Sequence, residues 1–146
     1  MRILHVSWEY PPVLYGGLGR HVHALAQEQA REGHDVTVLT QLPPGATETE
    51  VANGVRIIRI SPPQPDAPRE PTALVEWVTG LNFAMAAAAP RVAEIARPEI
   101  VHAHDWVVTG AANAVRLAAG APLVTTIHAT EAGRHAEALG GADHDV

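Results

Sequence analysis

The chain has 146 residues, a formal net charge of −6 and no cysteine. That length fits one domain with a real core, and the lack of thiols excludes a disulfide framework and thiolate metal centres. All ten basic residues are arginine, scattered along the chain, which argues against a nucleic-acid surface; the 26 alanines, with arginine in place of lysine, read as genomic composition bias.

Arg2–Ser7 is an apolar run of strand length, and Glu9 interrupts the N-terminus too early for a signal peptide. No apolar run reaches spanning length, so a cytoplasmic protein without a transmembrane segment is expected. The loop Tyr10-Pro-Pro-Val-Leu-Tyr-Gly-Gly-Leu-Gly-Arg-His-Val22 leads into a helix over Gly19–Glu32, with Val22, Leu25, Ala26 and Gln29 near helical spacing and Gly33 as its stop. Val36–Thr40 is a second strand, Pro43-Pro44-Gly45 a break, and Val55–Ile60 a third strand. Ser61–Pro71, with five prolines, is a loop. Thr72–Ala89 is a second helix, broken or kinked at Pro90 and continued to Ala96. Glu99–Ala103 is a fourth strand, Val108–Ala119 a third helix stopped by Gly120, and Leu123–Ile127 a fifth strand. Beyond it only a weak helical signal remains around Ala136–Leu139, so the chain reads as the front of a larger protein.

Strands alternating with helices imply an α/β fold, a Rossmann-like doubly wound parallel sheet in three α/β/α layers. Right-handed crossovers give the strand order 3-2-1-4-5. Strands one and four then lie side by side where the winding reverses, and ligands of such sheets bind there, beyond the C-terminal strand ends.

Three segments meet at that edge. The Gly16-Gly17 loop would let a ligand approach the backbone and aim the helix's free N–H groups at it. A nicotinamide cofactor is not expected, because strand two ends in Leu39-Thr40-Gln41 with no carboxylate for a ribose, and a P-loop needs a lysine. His102-Ala-His104-Asp105-Trp106 closes strand four; its two histidines share a face, but a binuclear hydrolase pattern would need Asp one place later and a further His. The pair lacks a third and fourth ligand, so no metal is expected; His104 and Asp105 are read as lining a polar pocket and Trp106 as a sugar platform. His128, in Thr125-Thr-Ile-His128-Ala-Thr-Glu131, ends strand five. His21 and His23 point to different faces of their helix; His21 is the one expected near the pocket and His23 is read as solvated.

The ordered set E-Y-P-P, G-G-L-G-R-H-V, G-H-D-V-T-V-L-T, H-A-H-D-W and T-x-H-A-T-E resembles the N-terminal half of retaining glycosyltransferases with the GT-B fold, glycogen and starch synthase-like (family four, group 1). The resemblance implies a Rossmann-like N-terminal glycosyltransferase domain over residues 1–135, a tail over 136–146, and a C-terminal nucleotide-sugar domain absent from this chain. It implies transfer of a sugar from a nucleotide sugar to a glycan or other hydroxyl acceptor by front-face displacement, with no cofactor and no essential metal. Asp105 and His128 take catalytic positions, Gly16, Gly17 and Arg20 approach the donor phosphates, and Tyr15, His104, Trp106 and Glu131 fall on the acceptor side. One departure is Leu14, where the family's K-x-G-G loop carries lysine; Arg20 or an arginine of the missing half is expected to supply that charge. Alone, the 146-residue chain is expected to be inactive, and either marginally stable or self-associating; the alternative reading is a stand-alone, non-catalytic binding module with the same half-fold.

Overall fold

The computed structural model describes residues 1–64, 68 and 71–128. Its elements are β1 (Arg2–Val6), α1 (Gly17–Arg31), β2 (Asp35–Gln41), β3 (Thr49–Ala52), β4 (Val55–Ile60), α2 (Pro71–Ala87), α3 (Ala89–Ala96), β5 (Ile100–His104), a 3₁₀ turn (Trp106–Val108), α4 (Thr109–Ala119) and β6 (Leu123–Thr126). They form one six-stranded sheet in the order β3-β4-β2-β1-β5-β6. The parallel part, β4-β2-β1-β5-β6, has the order the sequence implies.

β3 is an addition. It pairs antiparallel with β4 through a two-residue turn at Asn53-Gly54, both at positive φ (51° and 81°). That geometry suits the right-handed twist of the two strands, and Asn-Gly is the residue pair that adopts it most readily. β3 caps the sheet edge beyond β4, and Glu50 on it binds Arg59 of β4 at 2.8 Å.

The strands bury both faces. Leu4, Val6, Leu39, Val101 and Ala103 point to one side, where Trp77, Leu81 and Met85 of α2, Val92 of α3 and Ala112 and Val115 of α4 complete the larger core. Val36, Val38, Val55 and Ile57 point to the other and meet Leu18, Val22 and Ala26 of α1. Alternation along β1 and β5 therefore sends His5, His102 and His104 to the α1 side, opposite Val6 and Ala103. The register places His5 directly beside His102. α1 stops where expected: Gly33 takes φ +88° and its N–H returns to Ala30 O at 3.1 Å. The helix begins at Gly17, two residues earlier than the pattern suggests.

The expected tail over 136–146 and the weak helical signal at 136–139 lie outside the described residues. Among the described residues, no helix is long and apolar enough to cross a membrane.

Candidate active site

A cleft of about 340 Å³ opens at the C-terminal strand ends, lined by Trp8, Glu9, Gly16, Gly17, Leu18, Asp105 and His128. It lies beyond β1 and β5, the pair at which the winding reverses. A wider cleft of about 620 Å³, between Arg2, Pro90 and Arg97, sits at the opposite end of the sheet. Ligands of open parallel sheets bind at the C-terminal end, so the smaller cleft is the candidate.

Glu9 organises one wall. Its carboxylate is buried, and Oε2 accepts the N–H groups of Tyr15 and Gly16 at 3.0 Å each and of Gly19 at 3.4 Å. The glycine loop is thus partly satisfied from within, which corrects the expectation of a fully free N–H cradle: the Gly16 donor is taken. Gly17 and Leu18, the first residues of α1, keep N–H groups with no partner among the described residues. A Cβ on Gly19 would meet Leu14 Cδ2 at 2.6 Å and Glu9 Cβ at 3.0 Å, whereas Cβ atoms on Gly16 or Gly17 would meet nothing within 4 Å. Gly19 packs the loop; Gly16 and Gly17 leave the cleft open.

Asp105 forms the other wall. It is 2% exposed and holds φ +71°, ψ 168°. That region of backbone space is nearly restricted to glycine and costs a side-chain-bearing residue about 1–3 kcal/mol, a strain that clusters at functional sites. Among the described residues, its N–H donates to Thr126 O at 2.8 Å, and Oδ1 accepts the Trp106 N–H at 2.9 Å, capping the 3₁₀ turn. Asn82 of α2 braces the same turn, donating to Val107 O at 2.6 Å and accepting from Ala111 N–H at 2.7 Å.

Behind the cleft runs a line of imidazoles. His5 Nε2 lies 2.7 Å from Gln29 Oε1, His5 Nδ1 lies 2.9 Å from His104 Nε2, and His104 Nδ1 lies 3.3 Å from His128 Nε2. Facing a carbonyl oxygen, His5 Nε2 carries its proton, so Nδ1 accepts from His104 Nε2–H. His104 Nδ1 in turn accepts from His128 Nε2–H, leaving His128 Nδ1 for the cleft. His102 Nε2 pairs with Thr126 Oγ1 at 2.8 Å. Burial pushes the His5 pKa down to about 4 despite the Gln29 bond, and burial with the neighbouring imidazoles pushes His104 down to about 2. Both rings are therefore neutral near pH 7.

Several expected positions shift. His104 is fully buried and reaches the cleft only through His128. Trp106 packs against the larger core, its indole N–H enclosed without a partner among the described residues, so it does not line the cleft. The aromatic that does is Trp8, stacked on Tyr15 with ring centroids 5.2 Å apart. Arg20 is exposed and absent from the cleft wall. His21 stands beside the cleft residues as expected, its ring 5.1 Å from that of His128. His23 is half-buried rather than solvated, accepting from Gln27 at 2.9 Å against the Tyr10 ring. Glu131 lies outside the described residues. Glu9, Trp8, His5 and Gln29 were not singled out by the sequence as site residues. Glu9 does stand in the E-Y-P-P segment, and an acidic residue before a glycine loop is a legible capping signal.

The sequence of residues 15–144 matches the family model of Glycosyltransferase Family 4. The chain belongs to that family. It is 44% identical over 156 residues to a glycogen synthase of Mycobacterium tuberculosis, an alignment that covers 97% of this chain and 37% of that protein. It is 32% identical over 143 residues to an alpha-maltose-1-phosphate synthase of Mycolicibacterium smegmatis, covering 97% of this chain and 32% of the relative. The chain thus spans about a third of the length of these relatives. Among solved structures, its fold is similar to sucrose-phosphate synthase from Thermosynechococcus elongatus (TM-score 0.67, 21% identity, 87% of this chain and 33% of that one). It is also similar to the catalytic domain of Starch Synthase IV from Arabidopsis thaliana bound to ADP and acarbose (TM-score 0.65, 18% identity, 97% and 37%). The sheet is accordingly one Rossmann-like half of a GT-B fold.

Proposed function

We propose that this chain is the acceptor-side wall of a retaining glycosyltransferase that moves a sugar from a nucleotide sugar to a glycan hydroxyl. The observation that carries the reading is the convergence of strained Asp105, His128 and the open Gly17 on one cleft at the sheet's reversal point in a family 4 chain. The relatives' names, which concern glycogen, starch, sucrose phosphate and maltose phosphate, support an α-glucan or a related glucoside as the product class.

In this reading the Asp105 carboxylate stabilises the positive charge that develops on the transferred sugar, and His128 Nδ1 accepts a sugar hydroxyl. His104 and His5 hold His128 by its other nitrogen, so its orientation is set before substrate arrives. The Gly17 and Leu18 N–H groups, at the positive end of α1, approach the leaving diphosphate. Trp8 and Tyr15 offer the stacked aromatic surface for an acceptor ring, in place of Trp106. No metal takes part in the transfer. A second, nucleotide-binding domain supplies the facing wall and most of the donor contacts, so the 146-residue chain alone does not turn over donor.

Titrating the chain with a malto-oligosaccharide and, separately, with ADP-glucose tests this division of labour. The reading expects chemical-shift changes at His128 and the Trp8 indole with the glycan, and weak or no response to the nucleotide sugar. Tight nucleotide-sugar binding with no glycan response would contradict it.

A further inference from the structure

We propose that His21, His104 and His128 form a three-histidine site for a single divalent transition metal of the zinc class at the mouth of this cleft. The three residues come from α1, the end of β5 and the segment after β6, and one ring nitrogen of each lies within 4.8 Å of the others. Sequence spacing hides the set, because 83 and 24 positions separate its members.

The geometry suits a tetrahedral ion. Zn–N bonds of about 2.0–2.1 Å at tetrahedral angles place two ligand nitrogens about 3.3–3.4 Å apart. His104 Nδ1 and His128 Nε2 are 3.3 Å apart already. A metal entering beside that line replaces the proton they share and keeps the nitrogen spacing, while each ring turns to aim its lone pair at the ion. His21 is exposed and free to swing the remaining distance. The fourth position faces the cleft, where water or a ligand atom would sit.

The surroundings hold the buried ligand in the right form. A metal-bound histidine usually donates its other N–H to a fixed acceptor, which sets its tautomer and ring orientation. His104 does this through Nε2–H to His5 Nδ1 at 2.9 Å, and His5 is fixed in turn by Gln29 at 2.7 Å. With Nε2 so committed, the Nδ1 lone pair faces outward. The deeper triad, His5, His102 and His104, also brings three nitrogens within 4.8 Å. There, however, a cation would break the His5–His104 bond and the His102–Thr126 bond and carry its charge beneath the sheet surface, so the outer triad is favoured.

Because transfer as proposed above needs no metal, this site is inhibitory: an ion on His128 Nε2 leaves the ring proton on Nδ1, which then no longer accepts the sugar hydroxyl. The metal itself is the probe, and binding is read without any activity. The dialysed 146-residue chain is titrated with Co(II) by visible absorption and with Zn(II) by calorimetry at neutral pH. One equivalent should bind, with the intense visible bands of four-coordinate Co(II). His21→Ala and His128→Ala should each weaken binding by about tenfold or more, the scale on which ligand-shell changes act, while circular dichroism remains that of the wild type. His102→Gln and the double variant His135→Ala/His144→Ala should bind as the wild type does. No uptake, octahedral Co(II) spectra alone, uptake unaffected by His21→Ala and His128→Ala, or uptake abolished by His102→Gln or by the tail double variant would each overturn the proposal.

Discussion

Glu9 reaches back across its own loop to Gly16: Oε2 accepts the Gly16 N–H at 3.0 Å. A carboxylate therefore sits at the N-terminal end of α1 before any ligand arrives, favoured there by the positive end of the helix dipole. It shapes the glycine loop and, among the described residues of that loop, leaves the Gly17 and Leu18 N–H groups for a phosphate.

Removing that carboxylate should loosen the loop. Hydrogen bonds to a charged group contribute about 1.5–3 kcal/mol, and Glu9→Ala leaves three N–H groups without their acceptor. We expect a loss of about 2–3 kcal/mol by urea denaturation. A variant as stable as the wild type would show that the loop does not depend on Glu9.

The neighbouring glycines should separate packing from function. Gly19→Ala places a Cβ against Leu14 and Glu9 and should cost about 1–3 kcal/mol of stability. Gly17→Val meets open space, so the fold should survive within about 1 kcal/mol while donor turnover in a two-domain enzyme collapses. Equal thermal midpoints for the two variants would contradict this assignment.

Asp105 predicts an unusual ranking. Both variants lose the Oδ1 cap on Trp106, but glycine relieves the strained φ of +71° whereas alanine keeps the strain. After allowing for glycine's greater freedom when unfolded, Asp105→Gly should be more stable than Asp105→Ala by about 1 kcal/mol or more, although both lose transfer. Differential scanning calorimetry of the pair decides it; alanine at or above glycine would mean that the backbone there is not strained.

The imidazole line should make stability pH-dependent in a defined direction. His5 and His104 stay neutral in the fold, with pKa values of about 4 and about 2 against an ordinary value of 6.5. Below pH 6.5 the unfolded chain takes up protons that the folded chain refuses. Each residue then removes stability by about 1.4 kcal/mol per pH unit, the contribution being fully present above 6.5 and lost as pH falls toward the folded values. Denaturant midpoints across this range should fall with acid, and His5→Gln should flatten the slope. A flat wild-type profile would show that these rings are not held neutral.

Much of the fold was legible because it rests on local patterns. Apolar runs of strand length alternate with helical spacing, and handed crossovers leave one simple strand order, which the parallel part of the sheet follows. β3 was missed: Asn53-Gly54 is a hairpin signal, but the strand before it is polar and largely exposed, so apolar patterning passed over it. That Gly17, Asp105 and His128 would meet at one end of the sheet was legible, each lying at a strand end or helix start. The support behind it was not. His5 reads as one position in an apolar strand, and its partner His104 is 99 residues away. No local pattern reports a contact made only when β1 and β5 pair. Trp8 rather than Trp106 lines the cleft for the same reason: the 3₁₀ turn after Asp105 rotates Trp106 toward the core, and only the folded loop brings Trp8 against Tyr15.

The account rests on the cleft between Asp105, His128 and Gly17 being the place of sugar transfer. The most direct test is the initial rate of transfer per folded molecule for His128→Ala, in a polypeptide carrying this chain and a nucleotide-sugar domain. Losing a pre-positioned transition-state contact costs about 3–4 kcal/mol, so the rate should fall by two to three decades with the thermal midpoint nearly unchanged. A near-normal rate per folded molecule would contradict that assignment.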